Sequence, residues 1–290
     1  MKRLTGYLLM STLVLGGLGT LSAQEAATQS PPKVLSIIRE YLKPGKSGET
    51  HEKSESAFVQ ALRGAKWPTH YLAVDSLSGR PRSLFLTGFG SFEEMEKDMR
   101  NVEKNPGLMS ALDRAGVVDG ELLSDTDSAQ MAFREDMSLR AGVDIPHMRY
   151  LEISLIHVRP GHEKDWEALV KMYMTAFEKI NDVHWATYQV VYGAADGSYI
   201  IFNPMKSASE VDHSFAVGKQ FESDMGEEGM KKLNELAAAA IESSQTNMFV
   251  FNPRMSYVSD EWIKADPDFW NPKAAHAAAT KKKEEPNSKK

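Results

Sequence analysis

Leu151-Glu152-Ile153-Ser154-Leu155-Ile156-His157-Val158-Arg159-Pro160-Gly161-His162-Glu163, leading into Trp166-Glu167-Ala168-Leu169, decides the fold of this chain of 290 residues. Leu151, Ile153 and Leu155 alternate with Glu152 and Ser154, and a period of two is that of a half-buried strand. Pro160-Gly161 ends the strand. Trp166, Leu169, Val170, Tyr173 and Phe177 then recur at helical spacing, one face of an amphipathic helix. The same joint stands 116 positions earlier, in Arg39-Glu40-Tyr41-Leu42-Lys43-Pro44-Gly45. Ser91-Phe92-Glu93-Glu94 returns at that interval as Ser207-Ala208-Ser209-Glu210. Phe133-Arg134-Glu135-Asp136-Met137-Ser138 returns as Phe251-Asn252-Pro253-Arg254-Met255-Ser256. Three matches in one order indicate one ancestral unit present twice.

The remaining elements follow from the second copy. Thr187 to Tyr192 and Tyr199 to Phe202 are β-branched and aromatic runs across a Gly193 to Gly197 turn, a hairpin. Ser207 and Glu210 make a capping box opening a helix. Met230, Leu233, Ala237, Ala240 and Ile241 mark a further helix, and Met248 to Phe251 is the last strand. In the first copy, Leu35, Ile37 and Ile38 lie in the first strand. Ala57, Phe58, Ala61 and Leu62 stripe the first helix. Tyr71 to Val74 and Ser83 to Leu86 flank the turn Ser78-Gly79-Arg80-Pro81. Ser91 and Glu94 cap the second helix, and Met131 to Phe133 starts the last strand. The order β-α-β-β-α-β is the ferredoxin-like split fold, an α+β class. The units span 33–140 and 149–258, with Ala141 to His147 as linker and 259–290 as a C-terminal extension ending in a disordered tail. Each antiparallel sheet leaves one apolar face without helices. The two units are expected to cover each other as an internal pseudo-dimer forming an α/β barrel, with a pocket between the sheets.

Composition bounds the function. Residues 1–23 read as a secretory signal peptide: Lys2-Arg3, an uncharged apolar run Leu4 to Leu21, and small residues before Gln24. The expected location is periplasmic or secreted, with no stable membrane span after cleavage behind Ala23. There is no Cys, which excludes disulfides and cysteine-linked lipid. Net charge −6 gives no electrostatic reason for nucleic-acid binding. The Lys-rich end from about Lys273 reads as a solvating tail. Oligomeric state stays open.

The Pro-Gly joints, Val158 to Leu169 and Arg39 to Gly45, resemble the strand-to-helix joint of the dimeric α/β-barrel superfamily. That superfamily holds the antibiotic-biosynthesis monooxygenases, the NIPSNAP-type proteins and, in fused form, the chlorite dismutases. The helix Met230 to Ile241 running into Met248-Phe249-Val250-Phe251 is also similar to the NIPSNAP type. The resemblance covers Lys33 to Val258 and implies a tandem-fused barrel. Because its motifs are structural, it chooses no reaction. Haem-degrading members carry an iron-binding His on the helix corresponding to that of His213, after an aromatic residue on the preceding strand, here Phe202. The family's first-strand Asn is not evident in Leu151 to Val158, and the first copy has no His on its second helix. Haem through His213 is therefore a secondary expectation, and otherwise no cofactor is expected.

Side chains able to do chemistry cluster at the hairpins. His157 continues the face of Leu151, Ile153 and Leu155, and Tyr41 is its counterpart. His184 and Trp185 precede the alternating Tyr188, Val190 and Tyr192; Trp67, His70 and Tyr71 are their counterparts. His157, His184, Trp185, Tyr188, Tyr192, Tyr41 and Tyr71 are the candidate ligand-binding residues, with His157, Tyr188 and Tyr192 expected to converge. They suit a small apolar or aromatic ligand with His or Tyr as hydrogen-bond or proton partners; as a packed barrel centre they would be structural. No metal site is expected, since His51-Glu52 and His162-Glu163 lack the second His of a zinc-protease helix. No phosphate loop or Gly-x-Ser-x-Gly nucleophile motif is present. Trp262, Phe269 and Trp270 are expected to pack the extension on the barrel or to lid its pocket. Three readings remain open: an exported small-molecule binder, a cofactor-independent oxygenase or isomerase-like enzyme, and a purely structural protein.

Overall fold

A computed structural model describes residues 29–271. The expected signal peptide and the Lys-rich tail lie outside the described residues. The first half contains β1 (Val34–Leu42), α1 (Glu49–Gly64), β2 (Tyr71–Ser76), β3 (Arg82–Phe89), α2 (Phe92–Glu103), α3 (Pro106–Gly120) and β4 (Leu123–Phe133). The second contains β5 (Tyr150–Val158), α4 (Glu163–Phe177), β6 (Ala186–Tyr192), β7 (Ser198–Met205), α5 (Ser209–Ala240) and β8 (Ile241–Phe251). Two short helices, α6 (Asp260–Ala265) and α7 (Pro267–Trp270), follow.

The eight strands close into one barrel in the order β1-β3-β2-β8-β5-β7-β6-β4. All pairings are antiparallel. Within each half the central strand is held along its whole length, as in β5 against β7 and β8. The seams between halves are short. β2 meets β8 only from Val74↔Phe251 to Ser76↔Phe249, and β4 meets β6 only from Gln130↔Tyr192 to Phe133↔Tyr188.

Alternation sorts the side chains into two layers. Inward residues such as Ile37, Leu84, Met131, Ile153, Ile200 and Phe249 form one core inside the barrel. Outward, Ile156, Val158 and Tyr199 pack against Trp166, Leu169 and Val170 of α4 and Phe221 and Leu233 of α5. The matching layer of the first half has a smaller apolar core, Val59, Leu62, Leu108 and Tyr257.

Three local expectations need correction. The last strand of each half starts earlier than Met131 and Met248. It begins at Leu123 and Ile241, and its first part is exposed and polar, so it carries no apolar alternation. The two helices expected between Ser207 and Ile241 run as one element broken at Gly226, whose φ is 65°. At α2 Ser91 Oγ accepts from the Glu94 N–H at 3.1 Å, but Glu94 reaches back to the Gly90 N–H at 2.8 Å, one residue before the cap. At α5 Glu210 accepts from the Lys206 N–H at 2.8 Å and from the Ser207 N–H at 3.4 Å, while the Ser207 hydroxyl pairs with Ser209, so each box is half formed.

Candidate functional site

The barrel core does not fill its interior. A cavity of about 350 Å³ opens at the end where β1 and β5 begin. Its walls are mostly apolar: Leu35, Leu72, Leu86, Leu151, Ala186, Phe202 and Phe251 from seven strands with Tyr188. Loops complete the mouth. Pro31 and Pro32 cross it ahead of β1, Val143 and Ile145 come from the connection between halves, and Trp262 comes from α6. The linker expected at Ala141 to His147 therefore forms part of the wall.

Few polar groups reach this space, and most are already engaged. The Tyr188 hydroxyl donates to the Pro32 carbonyl at 2.9 Å, and burial holds its pKa well above the ordinary phenol value. His184 Nε2–H donates to the Pro204 carbonyl at 2.8 Å. A carbonyl only accepts, so Nε2 carries the proton and Nδ1 is the free ring nitrogen of the neutral ring. His70 stacks on Tyr257 with ring centres 4.8 Å apart. Burial, opposed in part by Asp260, lowers its pKa below 6.5, which favours a neutral imidazole at the mouth. An apolar chamber with a few imidazoles on its wall suits a small apolar molecule.

Of the seven expected site residues, His184, Trp185, Tyr188 and Tyr71 line this cavity. Trp185 is partly turned away: its indole N–H donates to the Met137 carbonyl at 2.8 Å. Tyr71 contributes to the wall, but its ring packs on Phe85 and among Val59, Leu62 and Tyr257 behind the sheet.

The expected convergence of His157, Tyr188 and Tyr192 does not occur. His157 lies six residues beyond Leu151, about 20 Å along the strand. There it meets Glu242 at 3.2 Å and Ser198 at 3.4 Å. Tyr41 sits at the same polar end, with the Arg80 guanidinium 4.1 Å from its ring centre. Tyr192 leaves the lumen because β6 carries an irregularity in register: Val190 faces Met131, but Tyr192 faces Gln130. Its ring is 63% exposed and meets the edge of Phe92 on α2.

One feature answers an expectation, and a second was not read from the sequence. The first is a latch at the cavity mouth, where Trp262, Phe269 and Trp270 pack on the barrel as expected. Arg149 pairs with Asp266 and lies over the Phe269 ring at 3.9 Å, and the buried Trp270 donates its indole N–H to the Pro146 carbonyl at 2.8 Å. The run Trp262, Phe269, Trp270 was its only visible signal. The second bears on the expectation of no metal site. Glu40, His51, Glu55 and Asp119 gather ligand-type atoms within 4.8 Å of one another, between the sheet and α1/α3. Reading His51 beside Glu52 hides this, because a helix places His51 above Glu55.

His213 was the expected haem ligand. It is exposed on α5, and the layer under that helix is filled by stacked Tyr173, Phe177 and Phe221.

No protein-family model matches the chain, and no curated protein matches it. Solved structures do. The chain is similar to an anthrone oxidase-like protein at 14% identity and TM-score 0.50, over 76% of this chain and 92% of that one. It is similar to a candidate monooxygenase from Fusobacterium nucleatum at 11% identity and TM-score 0.49, over 77% and 94%. It is similar to a mutant chlorite dismutase from Candidatus Nitrospira defluvii at 9% identity and TM-score 0.45, over 77% and 92%. The likeness is one of fold, the ferredoxin-like dimeric α/β barrel.

Proposed function

We propose that this protein binds one small apolar or aromatic molecule inside its barrel, and that it does so outside the cytoplasm. The observation that carries the first part is the apolar chamber of about 350 Å³ at the mouth of the barrel. A barrel that served only as packing would place large side chains there. The chain reads as a tandem-fused relative of the NIPSNAP and antibiotic-biosynthesis-monooxygenase type, an internal pseudo-dimer in one polypeptide. The strand order supports this, because it repeats after four strands: β1-β3-β2 with β4, then β5-β7-β6 with β8. Export rests on Lys2-Arg3, the apolar run and Leu21-Ser22-Ala23. Intact mass of the protein from its host is expected to lack residues 1–23; a soluble cytoplasmic species that keeps them sinks that part.

Calorimetric titration with a panel of flat apolar compounds tests binding. Anthrone is a reasonable first probe, given the anthrone oxidase-like neighbour. Wild type is expected to bind at least one member. Ala186→Phe, which pushes a ring into the chamber, is expected to weaken that binding at least ~10-fold, about 1.4 kcal/mol. A wild type that binds nothing in the panel, or an Ala186→Phe variant that binds as well as wild type, refutes the lumen site.

A second reading, an oxygenase acting on the bound molecule without a cofactor, is favoured by the imidazoles of His70 and His184 on the chamber wall. It requires oxygen uptake that depends on the bound compound and falls in His184→Ala.

A further inference from the structure

The two halves differ most at one ladder position. In the second half Ile156 stands opposite Tyr199, both buried under α4. The matching pair in the first half is Glu40 opposite Ser83. A layer that is apolar in one half therefore holds charge in the other.

His51 is 1% exposed, Asp119 2% and Glu55 3%. His51 Nε2 lies 3.1 Å from Glu40 Oε2, 3.4 Å from Asp119 Oδ1 and 4.0 Å from Glu55 Oε1. Among the described residues no Lys or Arg pairs with these three carboxylates. Glu55 Oε1 and Asp119 Oδ1 are buried with no hydrogen-bond partner, although both face the imidazole. Leaving buried carboxylate oxygens unpaired costs several kcal/mol per ion.

The other ring nitrogen indicates the tautomer. Nδ1 lies 3.2 Å from Ser83 Oγ, and Ser83 gives its own proton to Asp75 Oδ1 at 2.5 Å. Ser83 thus accepts from Nδ1–H, and in the neutral ring Nε2 turns a lone pair toward the carboxylates. Asp75 is held in turn by the Asn252 amide at 2.7 Å. A metal-bound imidazole is oriented in this way, its far N–H fixed by a polar chain. Ligands ~2.1 Å from a tetrahedral ion lie about 3.4 Å apart, within the spread seen around His51.

We propose that Glu40, His51, Glu55 and Asp119 bind one divalent transition-metal ion that clips α1 and α3 onto β1. One imidazole and three carboxylates suit Mn²⁺, Fe²⁺ or Zn²⁺ better than Mg²⁺, Ca²⁺ or a thiophilic ion. The ligands come from three elements and face away from the chamber, so the role is structural and independent of the lumen reading.

The test uses the full mature chain, purified without chelator and without a nickel column. Mass-spectrometric metal analysis is expected to find about one equivalent of a single transition metal. After stripping by dialysis, adding Mn²⁺, Fe²⁺ or Zn²⁺ is expected to raise Tm by at least ~5 °C. Co²⁺ is expected to give visible bands that are absent in Glu55→Gln and Asp119→Asn, and both variants are expected to lose at least ~30-fold in affinity. If one variant fails to fold, the other and the wild-type titration decide. The proposal is overturned if wild type carries no metal and shows no shift with any of these ions. Binding that survives both variants and disappears in His162→Ala or His213→Ala also overturns it, because the ion is then at the surface.

Discussion

Gly193→Ala is expected to destabilise the protein by at least ~3 kcal/mol, lowering Tm by roughly 6–12 °C. Gly193 has φ +89°, and a Cβ built there lies 2.1 Å from the Ser128 carbonyl oxygen and 2.8 Å from Ala129 Cα. Both obstacles are backbone of β4, so no side chain can rotate out of the way. The residue follows β6 at the short β4–β6 seam, and relief requires that seam to part. Gly161 provides the control. Its φ is +84°, but a Cβ added there meets nothing within 4 Å. Gly161→Ala therefore meets only the left-handed backbone cost, about 1–2 kcal/mol. Urea unfolding of both variants measures the difference. Equal losses would show that the seam gives way freely and that Gly193 matters only for its φ.

Trp270→Ala is expected to cost about 3–5 kcal/mol, the range for deleting a large buried aromatic. The ring is 3% exposed and contacts Phe251, Trp262 and Phe269. Its loss also leaves the Pro146 carbonyl with only the longer bond from Arg149 Nη1, at 3.3 Å. Trp262 lines the chamber, so a loosened α6–α7 segment should weaken ligand binding as well as stability. Trp270→Phe, which keeps most of the bulk and loses the hydrogen bond, is expected to cost less than Trp270→Ala, about 1 kcal/mol for the bond itself. An alanine variant as stable as wild type would mean that the extension rests on the barrel without contributing to it.

The strand cores were legible because one face of each strand is buried. Leu151, Ile153 and Leu155 announce β5, and the same logic places Tyr188 on the inner face of β6. Alternation reports the face a residue takes; it says nothing of depth along the barrel. That is why His157 was grouped with Tyr188 although it sits at the opposite, polar end. It also fails at a break in register, where Tyr192 leaves the lumen. The exposed first parts of β4 and β8, Ser124 to Ser128 and Glu242 to Thr246, are polar throughout and hold their place by backbone pairing to β1 and β5. A hydrophobic pattern cannot show them. The buried tetrad was hidden for another reason. Glu40, His51, Glu55 and Asp119 are spread over three elements, and only the His51–Glu55 spacing is local. A stronger clue lay in comparing the halves, where Glu40 replaces Ile156.

Ring closure has a consequence for how this molecule meets others. An open sheet exposes a row of unpaired backbone donors and acceptors at each edge, onto which a foreign strand can add and from which aggregation can template. Here each of the eight strands has a neighbour on both sides, but the seams are short, so the only long stretches left with one open edge among the described residues are the polar first parts of β4 and β8, beyond their pairings with β6 and β2. Those stretches are polar and charged, which blunts them as templates, and the large apolar groups left in solvent, Val117 and Val118 on α3 and Phe215 on α5, mark where side-chain surfaces are stickiest.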